Sequence, residues 1–434
     1  MKRSIVWFKT DLRLHDNETL VRAIEQSDEI IPVYCLDEDH FKITPFGFQK
    51  TGNFRAQFLL ESLNDLDTNL RKLGSGLIVV RGKPETELYK IVKQYEAFKV
   101  FAKREVAYEE QQTEARVEKE IWKLGCTFES FSTSTLYHAQ DLPFSIKDIP
   151  EVFTNFRKKV EKESSIRSVF QKPAHIKSPA MPQLRLPTVK GLGLQPVIQD
   201  PRAVMKFTGG ESEGCKRLTS YLFETQLISH YKNTRDGMIG SDYSTKFSPW
   251  LALGCLSPRE IYTELKKYES RFSANESTYW LIFELLWRDY FRFMMKKHKH
   301  QFFLYSGIKD SANASGLQDT AILSQWINGK TGNDFIDANM LELTHTGFMS
   351  NRGRQNAASY LCNDLGIDWR YGAAYFEQQL IDYDVCSNWG NWAYLAGVGN
   401  DPRGKRNFNI EKQAEEYDPK KLFRNLWLKT TLPL

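Results

Sequence analysis

The 434-residue chain has few cysteines and no paired cysteine motif: Cys35, Cys126, Cys215, Cys255, Cys362 and Cys386 are scattered, with no C-x-x-C among them. That spacing excludes a zinc finger and a disulfide-stapled scaffold, and it fits a reducing compartment. No uninterrupted apolar run at the N-terminus reaches signal-peptide length, and none elsewhere reaches membrane-spanning length. A soluble, cytoplasmic protein without a membrane partner is therefore expected. Neither G-x-G-x-x-G nor G-x-x-x-x-G-K-[ST] follows any strand-like run, which argues against a dinucleotide fingerprint or a P-loop. Strong charge of one sign is also missing, since a net +5 permits nucleic acid without demanding it. No internal repeat is visible.

What is present reads as globular: 41% hydrophobic and 26% charged residues, with 13% aromatics pointing to large cores or stacking sites. The length suggests two or three domains. Over residues 1–130 the net charge is −2, and SIVWF, EIIPVYCL, GLIVVRG, KVFAKRE and TFESFS read as five strands. Four amphipathic patterns separate them, with Asn17 and Asn53 as candidate caps and Gly74 and Gly125 as candidate ends. Alternation of this kind implies an α/β domain with a doubly wound, five-stranded parallel sheet. Residues 131–208 form an interdomain region with net positive charge. Between Gln171 and Gln199 it contains no acid, while Pro173, Pro179, Pro182, Pro187 and Pro196 forbid continuous helix. A solvated tether is the expected role, ahead of a DNA-binding arm. From 209 to 434 the pattern is helical almost throughout.

Four segments of the helical part carry chemistry. SDYSTKFSPW places Ser244, Thr245, Lys246 and Ser248 just before a helix, which makes either an anion cradle or an ordinary hydroxyl-rich cap. YWLIFELLWRDYFRF carries Glu284, Trp287 and Arg288 in an apolar helix. Glu284 and Arg288, four apart, share a face, and burial would force both to find further partners. The basic run Lys296–His300 after it reads as a solvated helix end. Asn351, Arg352, Arg354 and Gln355 surround Gly353 with planar hydrogen-bonding groups suited to a base or a flavin edge. LIDYDVCSNWGNWAYL brings Asp382, Asp384, Asn388, Trp389, Trp392 and Tyr394. Its paired acids could act as acid and base or hold a ribose and an arginine; without a histidine, metal is the weakest choice. Isolated tryptophans such as Trp326, Trp369 and Trp392 are ordinarily core residues.

The motifs WFKTDLRLHDNETL, YSTKFSPWLALGCLSPRE, FELLWRDYFRF, GFMSNRGRQNAASYL and SNWGNWAYLAGVGNDP together resemble the cryptochrome/photolyase family, in the form of its DASH branch. The likeness runs through essentially the whole chain. It implies an antenna domain (1–130), an interdomain region (131–208) and a helical domain binding FAD (209–434). By the resemblance, Tyr231 and Ser244, Thr245, Lys246, Phe247 and Ser248 form the diphosphate surface. Arg288 and Asp382 form the ion pair beside the isoalloxazine, with Asp384 and Asn388 at its N3 and N5 edges. Trp392, Trp369 and Trp326 match an electron relay, innermost to outermost. Glu284, Trp287, Asn351, Arg352, Gln355 and Tyr394 match the lesion pocket, and Arg235 and Gln413 more peripheral DNA contacts. Glu109 and Glu110 lie near the acid that holds a folate antenna, 5,10-methenyltetrahydrofolate, although acids at a helix start also suit the macrodipole. The implied activity is light-driven repair of cyclobutane pyrimidine dimers in single-stranded DNA by a monomer, with other nucleic acid a further candidate partner. The competing readings are a blue-light receptor without catalysis and, more remotely, a flavoprotein reductase.

Overall fold

The computed structural model describes residues 1–309, 316–404 and 406–429. Strands β1 (Arg3–Phe8), β2 (Glu29–Asp37), β3 (Ile78–Gly82), β4 (Lys99–Lys103) and β5 (Thr127–Phe131) form one sheet in the order β3-β2-β1-β4-β5, with every pair parallel. The central strand β1 is buried on both faces, which is why it reads as a continuous apolar run without alternation. Helices α1 (Glu18–Gln26), α2 (Asn53–Lys72), α3 (Pro84–Tyr95) and α4 (Tyr108–Trp122) connect the strands. Asn17 caps α1 by accepting from the Leu20 N–H. Asn53, by contrast, lies inside α2, whose cap is Gly52. Gly74 and Gly125 follow α2 and α4 with φ of +91° and +72°, the left-handed turn that ends a helix cheaply only at glycine.

The interdomain stretch is pinned more firmly than a free tether. Ile176 is buried, the Ile30 N–H donates to the Lys177 carbonyl at 2.9 Å, and Arg71 donates to the Pro182 carbonyl at 2.7 Å. From Glu211 onward the described residues are helical, apart from loops and a single bridge between Leu317 and Ile367. The basic run also departs from a purely solvated end: Lys297 pairs with Glu151 and donates to the Ile149 carbonyl.

The loop after β1 locks the two domains together. Arg13, 2% exposed, donates to the carbonyls of Gly254, Asp16 and Thr133. Asp16, fully buried, receives Arg259 at 2.6 Å, and Glu211 accepts the N–H groups of Leu14 and His15. Gly254 is required here, because a Cβ would lie 2.1 Å from the Thr10 carbonyl oxygen. Among the described residues no helix is long and apolar enough to cross a membrane, and Cys35, Cys126, Cys215, Cys255 and Cys386 are free thiols.

Candidate active site

The long helix Glu276–His298, the helices Asn351–Ser359 and Val385–Leu395, and the loop 243–248 enclose a cavity of about 320 Å³. A capping box at Asn275 starts the first of these helices, and Asp384 caps the third through the Ser387 N–H at 2.8 Å. Gly353 lets the second pack against Asn339, whose side-chain oxygen would lie 2.0 Å from a Cβ. Of the residues expected to bind a cofactor, Tyr231, Ser244 to Ser248, Arg288, Asp382, Asp384 and Asn388 all line the cavity.

The loop is shaped for an anion. Arg217 gathers the carbonyls of Ser241, Ser244 and Thr245, and Lys246 adopts φ +59°. Lys246 is 3% exposed and its ammonium has no hydrogen-bond partner. Burial pushes its pKa well down, and the carboxyl that most opposes this, Glu342, is itself pushed up to about 8 by burial. A buried ammonium that lies over the Tyr243 ring and has no hydrogen-bond acceptor, on a hydroxyl-lined loop, is what a diphosphate would satisfy. The residues present therefore fit FAD.

The expected ion pair is corrected. Asp382 pairs with Arg354, Nη2 to Oδ2 2.8 Å, and Arg354 also donates to the Met349 carbonyl. Arg288 instead donates to the carbonyls of Ser134 and Leu251. It faces Asp384, whose pKa burial would raise but Arg292, 3.1 Å away, and Arg288 hold below the usual value. Asn388 donates its amide to the Ala373 carbonyl at 2.9 Å, which fixes the side chain at the cavity wall.

Glu284 does not pair with Arg288 despite the helical spacing. Its partner is Arg235, which thereby moves from the periphery to the cavity lining. Burial raises the Glu284 pKa, and Arg235 opposes the rise. Asp236 extends the array: its carboxylate lies 3.6 Å from Arg235 Nε and 3.1 Å from Arg352 Nε. Arg352 also donates to Gln355 at 2.9 Å and sits over the Tyr417 ring. Asn351 and Gln355 line the cavity as expected. Trp287 is stacked on Phe153 at 3.7 Å and meets Tyr394 edge-on at 5.9 Å. The Tyr394 hydroxyl accepts from Arg403 and Arg406, and Gln413 accepts from Asn356 rather than facing the cavity.

The tryptophan order is corrected too. Trp392 lines the cavity and touches Trp326 at 6.3 Å. Trp326 is fully buried, with its indole N–H donated to the Ala357 carbonyl, so it is not an outermost ring. Trp369, 3% exposed, packs on Trp389 at 5.8 Å and donates to the Tyr305 carbonyl. On α4, Glu109 and Glu110 part ways. Glu109 is exposed and paired with Lys50. Glu110 has an unpartnered buried oxygen, and burial followed by the Glu105 charge raises its pKa to about 8.

Sequence reasoning missed Asn391, Tyr383 and Ser387 in the lining and Asp236 beside it. The adjacency of Asp236 to Arg235 is the one signal that could have found the last. Among the described residues no group of three or more His, Cys, Asp or Glu is placed to hold a metal.

Comparison with known proteins matches residues 4–180 to DNA photolyase and residues 280–431 to the FAD binding domain of DNA photolyase. Cryptochrome DASH of Gloeobacter violaceus is 48% identical, covering 98% of this chain and 85% of that protein. Cryptochrome DASH of Xenopus laevis is 48% identical as well, over 98% and 82%. The crystal structure of a Synechocystis cryptochrome superposes with a TM-score of 0.95 at 48% identity, covering 99% of this chain and 89% of that one. An archaeal photolyase from Sulfolobus tokodaii, solved with two FAD molecules, gives 0.80 at 27% identity, over 98% and 90%.

Proposed function

The chain belongs to the DNA photolyase family, on the branch of the DASH cryptochromes, and from that premise we propose that it is a light-driven lyase splitting cyclobutane pyrimidine dimers in single-stranded DNA. The observation that carries the reading is Glu284, a carboxyl with a raised pKa standing in the wall of the cavity that fits FAD. FAD would be held by Lys246 and the hydroxyl loop, by the Arg354–Asp382 pair, and by Asp384 and Asn388. When bound in its fully reduced form, FAD would supply photochemical electron transfer to a dimer and take the electron back after ring opening, with no net redox change.

The protein's own part is to place the lesion and answer the charge that develops on it. A neutral Glu284 donates a hydrogen bond to the pyrimidine carbonyl, and a donor fixed in advance in a water-poor site stabilises such charge strongly. Asn351 offers a second planar donor from the same wall. Trp287, backed by Phe153, presents an aromatic surface one helical turn from Glu284. We assign Glu110, rather than Glu109, to an antenna pterin, because its free oxygen accepts donors that the Lys50-bound Glu109 does not need.

The preference for single strands follows from what Gln355 and Tyr394 do. Gln355 has no aromatic face to offer a base, and the Tyr394 ring is already engaged edge-on by Trp287 and covered by Arg406. Taking a dimer out of duplex costs a few kcal/mol, least when the strand is already single. The test is to illuminate the reduced, FAD-loaded protein with single-stranded and duplex oligonucleotides carrying one thymine dimer. Repair should be light-dependent and far faster on single strands. Failure on both, with FAD bound and photoreducible, would support the photoreceptor reading instead.

A further inference from the structure

We propose that Asp236 occupies a two-arginine phosphate site and competes there with the backbone of the bound strand, setting how fast an undamaged strand is released. The inference rests on the nucleic-acid reading above and adds to it a residue outside the cavity lining. Arg352 Nη2 donates to Asp236 Oδ2 at 3.1 Å, its Nε lies 3.1 Å from Oδ1 without making a hydrogen bond, and Arg235 Nε stands 3.6 Å from Oδ1. Asp236 thus satisfies one arm of the guanidinium fork, and a phosphodiester, whose paired oxygens match the fork, can take both. Among the described residues the two guanidiniums are the only hydrogen-bond or ion-pair partners of Asp236.

Among the described residues Asp236 caps no helix and accepts no backbone N–H, so its position is explained by the arginines. Each of the three side chains keeps contact with water: 16% exposed for Arg235, 29% for Asp236 and 21% for Arg352. Solvent-facing ion pairs of this kind are weak and exchangeable, so a strand phosphate can take the place of the carboxylate. The Arg352–Asp236 ion pair carries no net charge of its own. General affinity for nucleic acid grows with the number of phosphates neutralised, and Arg352 is free to neutralise one only when an anion displaces Asp236. Arg352 stays in place during the exchange because Gln355 and the Tyr417 ring hold its far side.

The competing explanation is that Asp236 merely orients the arginines for the strand. The two differ in sign. If Asp236 competes, its near-isosteric neutral replacement Asp236→Asn should bind more tightly; if it only orients, the variant should bind more weakly. Fluorescence anisotropy on the full-length, FAD-loaded protein with a lesion-free, labelled single-stranded oligonucleotide reads this directly. Asp236→Asn should bind roughly fivefold tighter at low salt, the effect of one exposed pair. The gain should appear as slower dissociation. The slope of log affinity against log salt should steepen by about 0.7, the signature of one more phosphate neutralised on a single strand. Asp236→Glu, which keeps the charge, should restore wild-type binding and salt dependence. Unchanged or weaker binding by Asp236→Asn overturns the inference alone. No single-strand binding by either protein, with FAD retained, overturns the nucleic-acid reading and this inference with it.

Discussion

Glu284 shows how far one side chain's chemistry depends on neighbours distant in sequence. Helical spacing made Arg288 its natural partner, yet Arg288 is drawn toward the Ser134 and Leu251 carbonyls and Asp384, and Arg235 takes its place. The consequence is a carboxyl balanced between burial, which favours the neutral acid, and one guanidinium, which favours the anion. The hydrogen-bond donor is the neutral form, and its fraction falls as pH rises through the elevated pKa of Glu284. Repair yield on single-stranded dimers should therefore decline with rising pH in the wild type and stay flat across the same range in Glu284→Gln. Quantum yields measured over a pH series at constant FAD loading check this, and parallel declines in both proteins would assign the titration elsewhere.

At the scale of elements, the helices and strands were legible because they follow period and punctuation. The five apolar runs became β1 to β5, and the glycines after α2 and α4 sit at left-handed ends. The hydroxyl loop, Asn351, Asn388 and Trp392 likewise converge on one cavity from three separate segments. Pairings across elements were not legible, since local periodicity says which residues share a face and not what that face meets. Asp382 is 28 residues from Arg354, and nothing in the spacing of either names the other. The same limit misordered the tryptophans: Trp326 lies against Trp392 and Phe376 in full burial, whereas Trp369 lies on Trp389. A cation left on Trp326 would have no water beside it, so Trp326 is a poor terminus for charge separation. Trp392→Phe should abolish photoreduction of bound FAD while preserving the core, because the ring volume nearly persists. Trp369→Phe should impair it strongly and Trp326→Phe only modestly. Transient absorption on the three variants ranks them, and a larger loss in Trp326→Phe than in Trp369→Phe would restore the original order.

Across the whole molecule, the N-terminal loop ties the sheet domain to the helical one through buried charge. Arg13, Asp16, Arg259 and Glu211 form one such array, and Lys103, Glu105, Arg292 and Asp384 form another that ends at the cavity wall. Both arrays set carboxylates against guanidiniums in the interior, where removing one partner strands the other and typically costs about 3–5 kcal/mol. The cavity is lined by the helical domain, and the sheet domain braces its wall from behind, through Glu105, Arg292 and Asp384. The central claim is that this frame places a neutral Glu284 donor against a dimer while FAD sits behind it. Counting thymines restored per photon in a dimer-containing single strand, for wild type, Glu284→Gln and Glu284→Ala at equal FAD content, tests it most directly. The account predicts efficient repair by the wild type, a moderate loss in Glu284→Gln, whose amide still donates, and a loss of about tenfold or more in Glu284→Ala. Equal yields in all three proteins, or none in the wild type, would contradict it.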